Sequence, residues 1–155
     1  MKRIAIALVL VLGLAGCLSD QAVTETSTSV TAEPGGHAVV NVSVSADVSR
    51  PHLCYTADGD GPFDALVYAD AEEYAAYADG EPSNPIAALS SISANKSDIE
   101  PDVDLGGQVE PRTHHIVIDN SDYDAIEPLE SGSPSPAADG PVTVEVTAAV
   151  REESC

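Results

Sequence analysis

The sequence predicts an all-β fold: an antiparallel β-sandwich, Ig-like or jelly-roll-like, with one short helix near residues 70–79. Two segments, residues 37–48 and 142–150, alternate valine or alanine with polar residues. This period of two marks a strand that is buried on one face. Helical spacing of apolar residues appears in the 70–79 segment. Short strands with a single brief helix are typical of a two-layer sandwich.

The predicted strands follow one another along the chain and are separated by turns such as Pro34-Gly35-Gly36. They cover residues 26–31, 37–48, 52–55, 63–69, 86–92, 113–120 and 142–150, with a short further strand near residues 103–105. Residues 121–140 are rich in serine, proline and glycine, so they predict a long loop before the last strand.

The helix has its own start and stop signals. Asp70 can cap its N-terminus, and Glu73 stands where a reciprocal capping bond would form. Gly80 is a stop signal. Tyr74 and Tyr77 share one helical face. So short a helix is unstable alone, so we expect the tyrosines to pack against the sheet, with ligand contact as the alternative.

The most specific motif is Leu14-Ala15-Gly16-Cys17, which ends an apolar run of about 12 residues after the basic start Met1-Lys2-Arg3. It resembles the processing site of bacterial and archaeal lipoproteins, the lipobox. The resemblance implies that the Cys17 thiol carries a glycerolipid and that the preceding peptide bond is cut. An uncleaved anchor helix or an ordinary signal peptide is the alternative.

The lipobox divides the chain into a signal peptide (1–16), a Ser/Thr-rich tether (17–34) and a sandwich domain (35–155). We expect an exported protein, held on the outer face of the cytoplasmic membrane by the lipid on Cys17. Its protein or small-molecule partner cannot be read from the residues.

The net charge of the chain excludes one class of partner and indicates the kind of organism. The leader carries Lys2, Arg3 and no acid, so the mature chain has 26 acidic and 4 basic residues, a net charge of −22. Such a surface repels nucleic acid, which we exclude as a partner. Abundant acid, scarce lysine and few large aromatics resemble the proteins of salt-loving archaea. That resemblance implies a halophilic protein in which most single carboxylates only hydrate the surface.

The three cysteines of the chain have two predicted roles. Cys17 takes the lipid, which leaves Cys54 and Cys155 as a disulfide pair in an exported, oxidising setting. Free thiols or bridges to other chains are the alternative.

The sequence predicts no cofactor, with a loose calcium site as the weaker alternative. Asp58, Asp60 and Asp64 offer oxygen ligands in one acidic turn. An EF-hand would need a ligand at position five and a glutamate at position twelve, where this chain has Pro62 and Ala69.

Histidines give little support for a transition-metal site. His114 and His115 are adjacent, so on a strand they face opposite sides and cannot chelate one metal together. His52 and Cys54 share a strand face, but the second histidine and axial methionine of a blue-copper site are missing. The chain has no Gly-x-Ser-x-Gly elbow for a nucleophilic serine.

Two glycosylation sequons are present, at Asn41 and at Asn95. Asn41 lies on the polar side of its predicted strand, so a glycan there is sterically plausible.

A second resemblance covers the domain. Leu66-Val67-Tyr68, the helix with Tyr74 and Tyr77, and the later Ile116-Val117-Ile118-Asp119-Asn120-Ser121 look like a pattern in exported β-sandwich domains. This pattern is loosely similar to the GOLD-type sandwiches of secretory cargo proteins, and it implies no enzymatic activity. We therefore expect a non-enzymatic surface lipoprotein with a binding or envelope role. The alternatives are a solute- or metal-binding accessory lipoprotein with a defined pocket and, more remotely, an enzyme.

Overall fold

The computed structural model describes residues 22–91, 108–122, 134–152 and 155. Within these ranges the chain forms seven strands and one helix: β1 (Ala22–Ala32), β2 (Gly36–Ser43), β3 (His52–Gly59), β4 (Phe63–Tyr68), α1 (Ala71–Asp79), β5 (Ala87–Ser91), β6 (Thr113–Asn120) and β7 (Val142–Arg151). The predicted all-β sandwich with one short helix is confirmed.

The strands form two antiparallel sheets. A three-stranded sheet has the order β1-β7-β3, and a four-stranded sheet has the order β2-β6-β4-β5. The β1–β2 turn and the β3–β4 loop each carry the chain from one sheet to the other at the same end of the molecule.

The sandwich core lies between the two sheets and is built from alternate residues of nearly every strand. Strand β7 shows the predicted alternation, with its even-numbered residues from 142 to 150 buried and Thr143 and Glu145 exposed. The largest apolar side chains of this core are Leu53, Tyr55, Phe63, Ile116 and Ile118. Burial of each such side chain stabilises the fold by about 1.5–3 kcal/mol, which holds the sheets together.

The outer faces of the two sheets differ. The three-stranded sheet presents hydroxyl and acidic side chains to solvent, such as Ser27, Thr143 and Glu145. The four-stranded sheet instead buries Leu66 and Val117 in a second, smaller apolar cluster with Tyr77 of α1. The helix is therefore the cover of this outer face.

The helix caps follow the sequence signals with one exception. The Asp70 carboxylate accepts the backbone N–H groups of Glu72 and Glu73, and Gly80 ends the helix at φ 77°. The predicted reciprocal bond from Glu73 is replaced by another, because its carboxylate accepts the Asn84 backbone N–H at 2.7 Å. Glu73 thus fastens the segment that follows the helix.

Some predicted boundaries are wrong. Strand β1 starts at Ala22 and pairs with β7 along its length, so residues 22–32 belong to the sandwich and not to a 17–34 tether. Strand β2 ends at Ser43 instead of Val48, since Ser45 starts a turn closed by the Val48 backbone N–H. Strand β3 runs on to Gly59, beyond the predicted Tyr55. The strand predicted near residues 103–105 lies outside the described residues.

The predicted disulfide between Cys54 and Cys155 is confirmed, with a Cα–Cα distance of 5.7 Å. It links positions 101 residues apart and ties the C-terminus to β3. The chain-entropy argument assigns a closed loop of this size roughly 4–5 kcal/mol of stabilisation. No helix among the described residues is long and apolar enough to cross a membrane.

Candidate functional site: the polar cluster under the helix

The richest group of polar side chains lies on the outer face of the four-stranded sheet. Strand register places His37 opposite Asp119 and Asn41 opposite His115 across β2 and β6. It also places Asp64 of β4 opposite Asp119 on the other side of β6. These positions alternate with the core positions of the same strands, so they share the face that α1 covers. We call them, with Tyr74, Tyr77 and Ser121, the outer-face cluster.

At the centre of the outer-face cluster, the helix is bonded to the sheet through Asp119. The Tyr77 hydroxyl donates to Asp119 Oδ1 at 2.7 Å, and Ser121 Oγ lies 2.8 and 3.0 Å from the two carboxylate oxygens. Tyr77 is 4% exposed and Asp119 is 3% exposed. Hydrogen bonds to a buried carboxylate are short and strong, so this contact fixes α1 on the sheet.

Aromatic rings fill the rest of the space between helix and sheet. Tyr74 stacks on His115 with ring centroids 4.6 Å apart and planes at 14°. His37 meets Tyr77 edge-on at 5.0 Å, and Tyr68 lies 5.6 Å from Tyr77. Aromatic pairs at such distances contribute about 0.5–1.5 kcal/mol beyond area burial. The predicted packing of the tyrosines against the sheet is confirmed.

Asp64 is a second buried carboxylate, beside the first. Both of its oxygens accept the Ser135 backbone N–H at 3.0 Å, and the Ser135 hydroxyl donates to the Phe63 carbonyl at 3.2 Å. Burial raises the pKa of Asp64 from 3.8 to about 6; the Ser135 hydrogen bonds oppose this shift and the nearby Asp119 charge adds to it. Asp64 therefore holds the segment before β7 and titrates within the range of ordinary buffers.

The adjacent histidines lie on opposite faces of β6, as predicted. His114 is buried in the sandwich core, where Nδ1 lies 3.2 Å from the Arg112 carbonyl and Nε2 has no hydrogen-bond partner among the described residues. His115 donates through Nδ1 to Asn41 Oδ1 at 2.7 Å. Burial lowers the pKa of both imidazoles, so both stay neutral at neutral pH.

The acidic turn is not assembled into a metal site in the part of the chain that the structure describes. No group of three or more His, Cys, Asp or Glu side chains there is arranged to hold a metal ion. Asp58 lies exposed on β3, Asp60 accepts the Thr143 backbone N–H at 2.8 Å, and Asp64 is occupied by Ser135. The calcium alternative for Asp58, Asp60 and Asp64 thus finds no support.

Two further residues singled out by the sequence, Cys54 and Asn41, lie on β3 and β2. Cys54 is bonded to Cys155, so it has no thiolate with which to bind copper beside His52. Asn41 is exposed on β2, an edge strand of its sheet. The second sequon, Asn95, lies outside the described residues.

Sequence reasoning found the helix, the tyrosines and the histidines, and it took Asp64 as a possible calcium ligand, but it did not predict that Asp64 and Asp119 are buried anchors. A usable signal was present only for the neighbouring Asn120, which ends an apolar strand at a position on the core side of its alternation. Asn120 is 2% exposed and bonds the Ala32 and Gly140 carbonyls and the Ala138 backbone N–H. A polar residue buried in this way must be satisfied, and here it joins three segments.

Comparison of the chain with models of protein families, with curated proteins and with solved structures finds no match. The interpretation of the site therefore depends on its own chemistry. Asp119 and Asp64 both spend carboxylate oxygens on donors from the same chain, as a structural anchor does.

Proposed function

We propose that this protein is a lipid-anchored surface lipoprotein of a halophile, exported and held at the outer face of the cytoplasmic membrane. The observation that carries the proposal is Leu14-Ala15-Gly16-Cys17 at the end of an apolar run with a basic start. The lipid on Cys17 is its link to the membrane.

The disulfide supports export, and the charge of the chain supports a halophilic origin. The Cys54–Cys155 bridge joins positions 101 residues apart, and disulfides persist in oxidising compartments outside the cytosol. The net charge of the processed chain, −22 from 26 acidic and 4 basic residues, suits a surface that salt keeps soluble by screening carboxylate repulsion.

The proposed role is non-enzymatic, in binding or in the structure of the envelope. The outer-face cluster supports this role, because its buried carboxylates hold α1 and the segment before β7 in place. Both carboxylates already accept hydrogen bonds from donors of the same chain, so their oxygens are occupied by structural contacts.

Detergent phase partitioning tests the anchor. The full chain expressed in a lipoprotein-processing host is expected in the detergent phase, and the Cys17→Ser variant in the aqueous phase. Mass spectrometry of the mature N-terminus should find a lipid-modified Cys17 as the first residue. The sandwich domains of wild type and of Cys17→Ser should have the same melting temperature. That result would show that the substitution removes the lipid and leaves the fold intact. Aqueous partitioning of both forms would contradict the proposal.

A further inference from the structure

The arginines of the described domain are gathered at one end of the sandwich. Register aligns Ala22 of β1, Arg151 of β7 and His52 of β3 in one row. Arg50 lies in the β2–β3 loop at the same end, and Arg112 directly precedes β6 there, where its carbonyl accepts the Val44 backbone N–H. We call this the arginine end; the described residues contain no other arginine and no lysine.

The opposite end, where β1 turns into β2 and β3 into β4, is the acidic end. Its described residues carry carboxylates and no arginine or lysine: Glu33, Asp60, Asp64, Asp119, Asp122 and Asp139. The arginine end carries a similar number of carboxylates: Asp47, Asp70, Glu72, Glu73, Glu110 and Glu152. The arginines therefore decide the difference in charge between the two ends.

Several of the carboxylates at the arginine end are engaged locally. Glu110 pairs with Arg112, the Glu152 carboxylate accepts the Ser49 backbone N–H, and Asp70 caps α1. Arg50, by contrast, is exposed at φ 51°, the one positive φ outside glycine among the described residues. A side chain held out in an unfavourable backbone conformation is a pointer to function.

The attachment point of the proposed lipid is close to the arginine end. Five residue steps separate Cys17 from Ala22, and even a fully extended chain spans only about 18 Å over that length. The ten residues of β7 are about 33 Å long, at roughly 3.3 Å per residue. A tether shorter than the domain cannot turn the acidic end down onto the bilayer.

We propose that the arginine end faces the membrane, with Arg50 and Arg151 against the phosphate groups of the lipids and the acidic end directed outward. This inference rests on the proposed lipidation of Cys17. Arginine suits the contact because its guanidinium fork matches phosphate oxygens. Arg50 is exposed and Arg151 is partly exposed, so both side chains reach the surface of this end. The two ends carry similar numbers of carboxylates, but the arginine end also carries three arginines, so an anionic lipid surface repels it less than the acidic end, which favours the same orientation.

Depth-dependent quenching on the full lipid-modified chain tests the orientation. The protein is reconstituted into phosphatidylglycerol vesicles that contain a nitroxide-labelled lipid. A fluorescent label is attached at Ser49→Cys or at Asp139→Cys, both exposed positions at opposite ends. The native bridge stays closed without reductant. We expect at least threefold stronger quenching at residue 49 than at residue 139.

Vesicle flotation separates the two ways in which the idea can fail. Equal quenching, or stronger quenching at residue 139, in protein that floats with the vesicles would overturn the orientation and leave the lipid anchor standing. Protein that fails to float would overturn the anchor and this inference with it.

A second experiment tests the contact between Arg50 and the lipid phosphates. At 50 mM salt, Arg50→Gln is expected to reduce the preference for residue 49 by about half, whereas Ala46→Gln, a neutral change at an exposed position of the same end, should leave it unchanged. An unaltered preference in Arg50→Gln would overturn the phosphate contact.

Discussion

The bond between Tyr77 and Asp119 gives the sharpest test of how the helix is held. Tyr77→Phe removes one hydroxyl and leaves the ring, so its contacts with His37 and Tyr68 remain. The lost bond is 2.7 Å long, and both of its partners are almost fully buried. A hydrogen bond to a charged group contributes about 1.5–3 kcal/mol. We therefore expect the free energy of unfolding to fall by about 2 kcal/mol.

The control is Tyr74→Phe, which makes the same chemical change one helical turn earlier. Tyr74 is half-buried, and its described contacts are ring contacts with His37, Tyr68 and His115. This variant should change the unfolding free energy by less than about 0.5 kcal/mol. The two substitutions differ in the bond to Asp119, so their difference isolates it.

Urea denaturation followed by circular dichroism measures both variants at one salt concentration. Linear extrapolation with an unchanged slope assigns the shift in midpoint to stability. For a domain of this size, 2 kcal/mol corresponds to a fall in melting temperature of roughly 6–12 °C. Equal stability of Tyr77→Phe and Tyr74→Phe would refute the argument that Asp119 anchors the helix.

Three further outcomes are expected. Because the pKa of Asp64 is raised to about 6, this group destabilises the fold as pH rises from 3.8 to about 6, by at most about 3 kcal/mol. Asp64→Asn should therefore gain stability relative to wild type between pH 4 and pH 7 in denaturant titrations, and a constant difference would contradict the shift. The melting temperature of the wild-type domain should rise between 0.1 M and 1 M salt as the Debye length falls from about 10 to 3 Å, and an unchanged value would count against the halophilic proposal. Peptide mass spectrometry of protein from its own host should find a glycan on Asn41 that disappears in Asn41→Gln; a fully unmodified wild-type peptide would show that the sequon is unused.

The stability of Asp64→Asn is compared with that of wild type at each pH because His114 titrates in the opposite sense to Asp64. Its folded pKa lies below the usual 6.5, so its contribution to stability is present above that value and is lost as pH falls below it. Both chains contain His114, and its contribution cancels in the comparison. The residual slope then belongs to Asp64.

Local sequence was enough to predict the strands that border the core. Strand β6 has its predicted bounds, and β7 ends one residue after its predicted end. These bounds were predictable because apolar and polar residues alternate at every position of such strands. The helix was predictable because Asp70 and Gly80 punctuate it. The start of β1 was not predictable, because its run of serine and threonine is also what a tether looks like. Only pairing with β7, more than a hundred residues later, makes residues 22–32 a strand.

The buried carboxylates show a limit of a different kind. The alternation of β6 correctly places Asp119 on the outer face, and an outer face normally means solvent. That face is covered because Tyr77 comes from an element 42 residues earlier, and Asp64 is covered by Ser135, 71 residues later. Neither partner leaves a trace in the sequence around the aspartates, so local patterns could not assign their roles.

Helix α1, which covers the outer face of the four-stranded sheet, and the outer-face cluster beneath it depend on one another. A helix of nine residues is too short to be stable in water, and the outer face of the four-stranded sheet carries Leu66 and Val117, which need a cover. Apolar contact alone would let so short a helix slide or tilt across the sheet. The bond from Tyr77 to Asp119 has one geometry, and so it selects one position. The buried carboxylate thus supplies specificity to a cover whose attraction is hydrophobic, which is why removing one hydroxyl from Tyr77 should lower the stability of the whole domain.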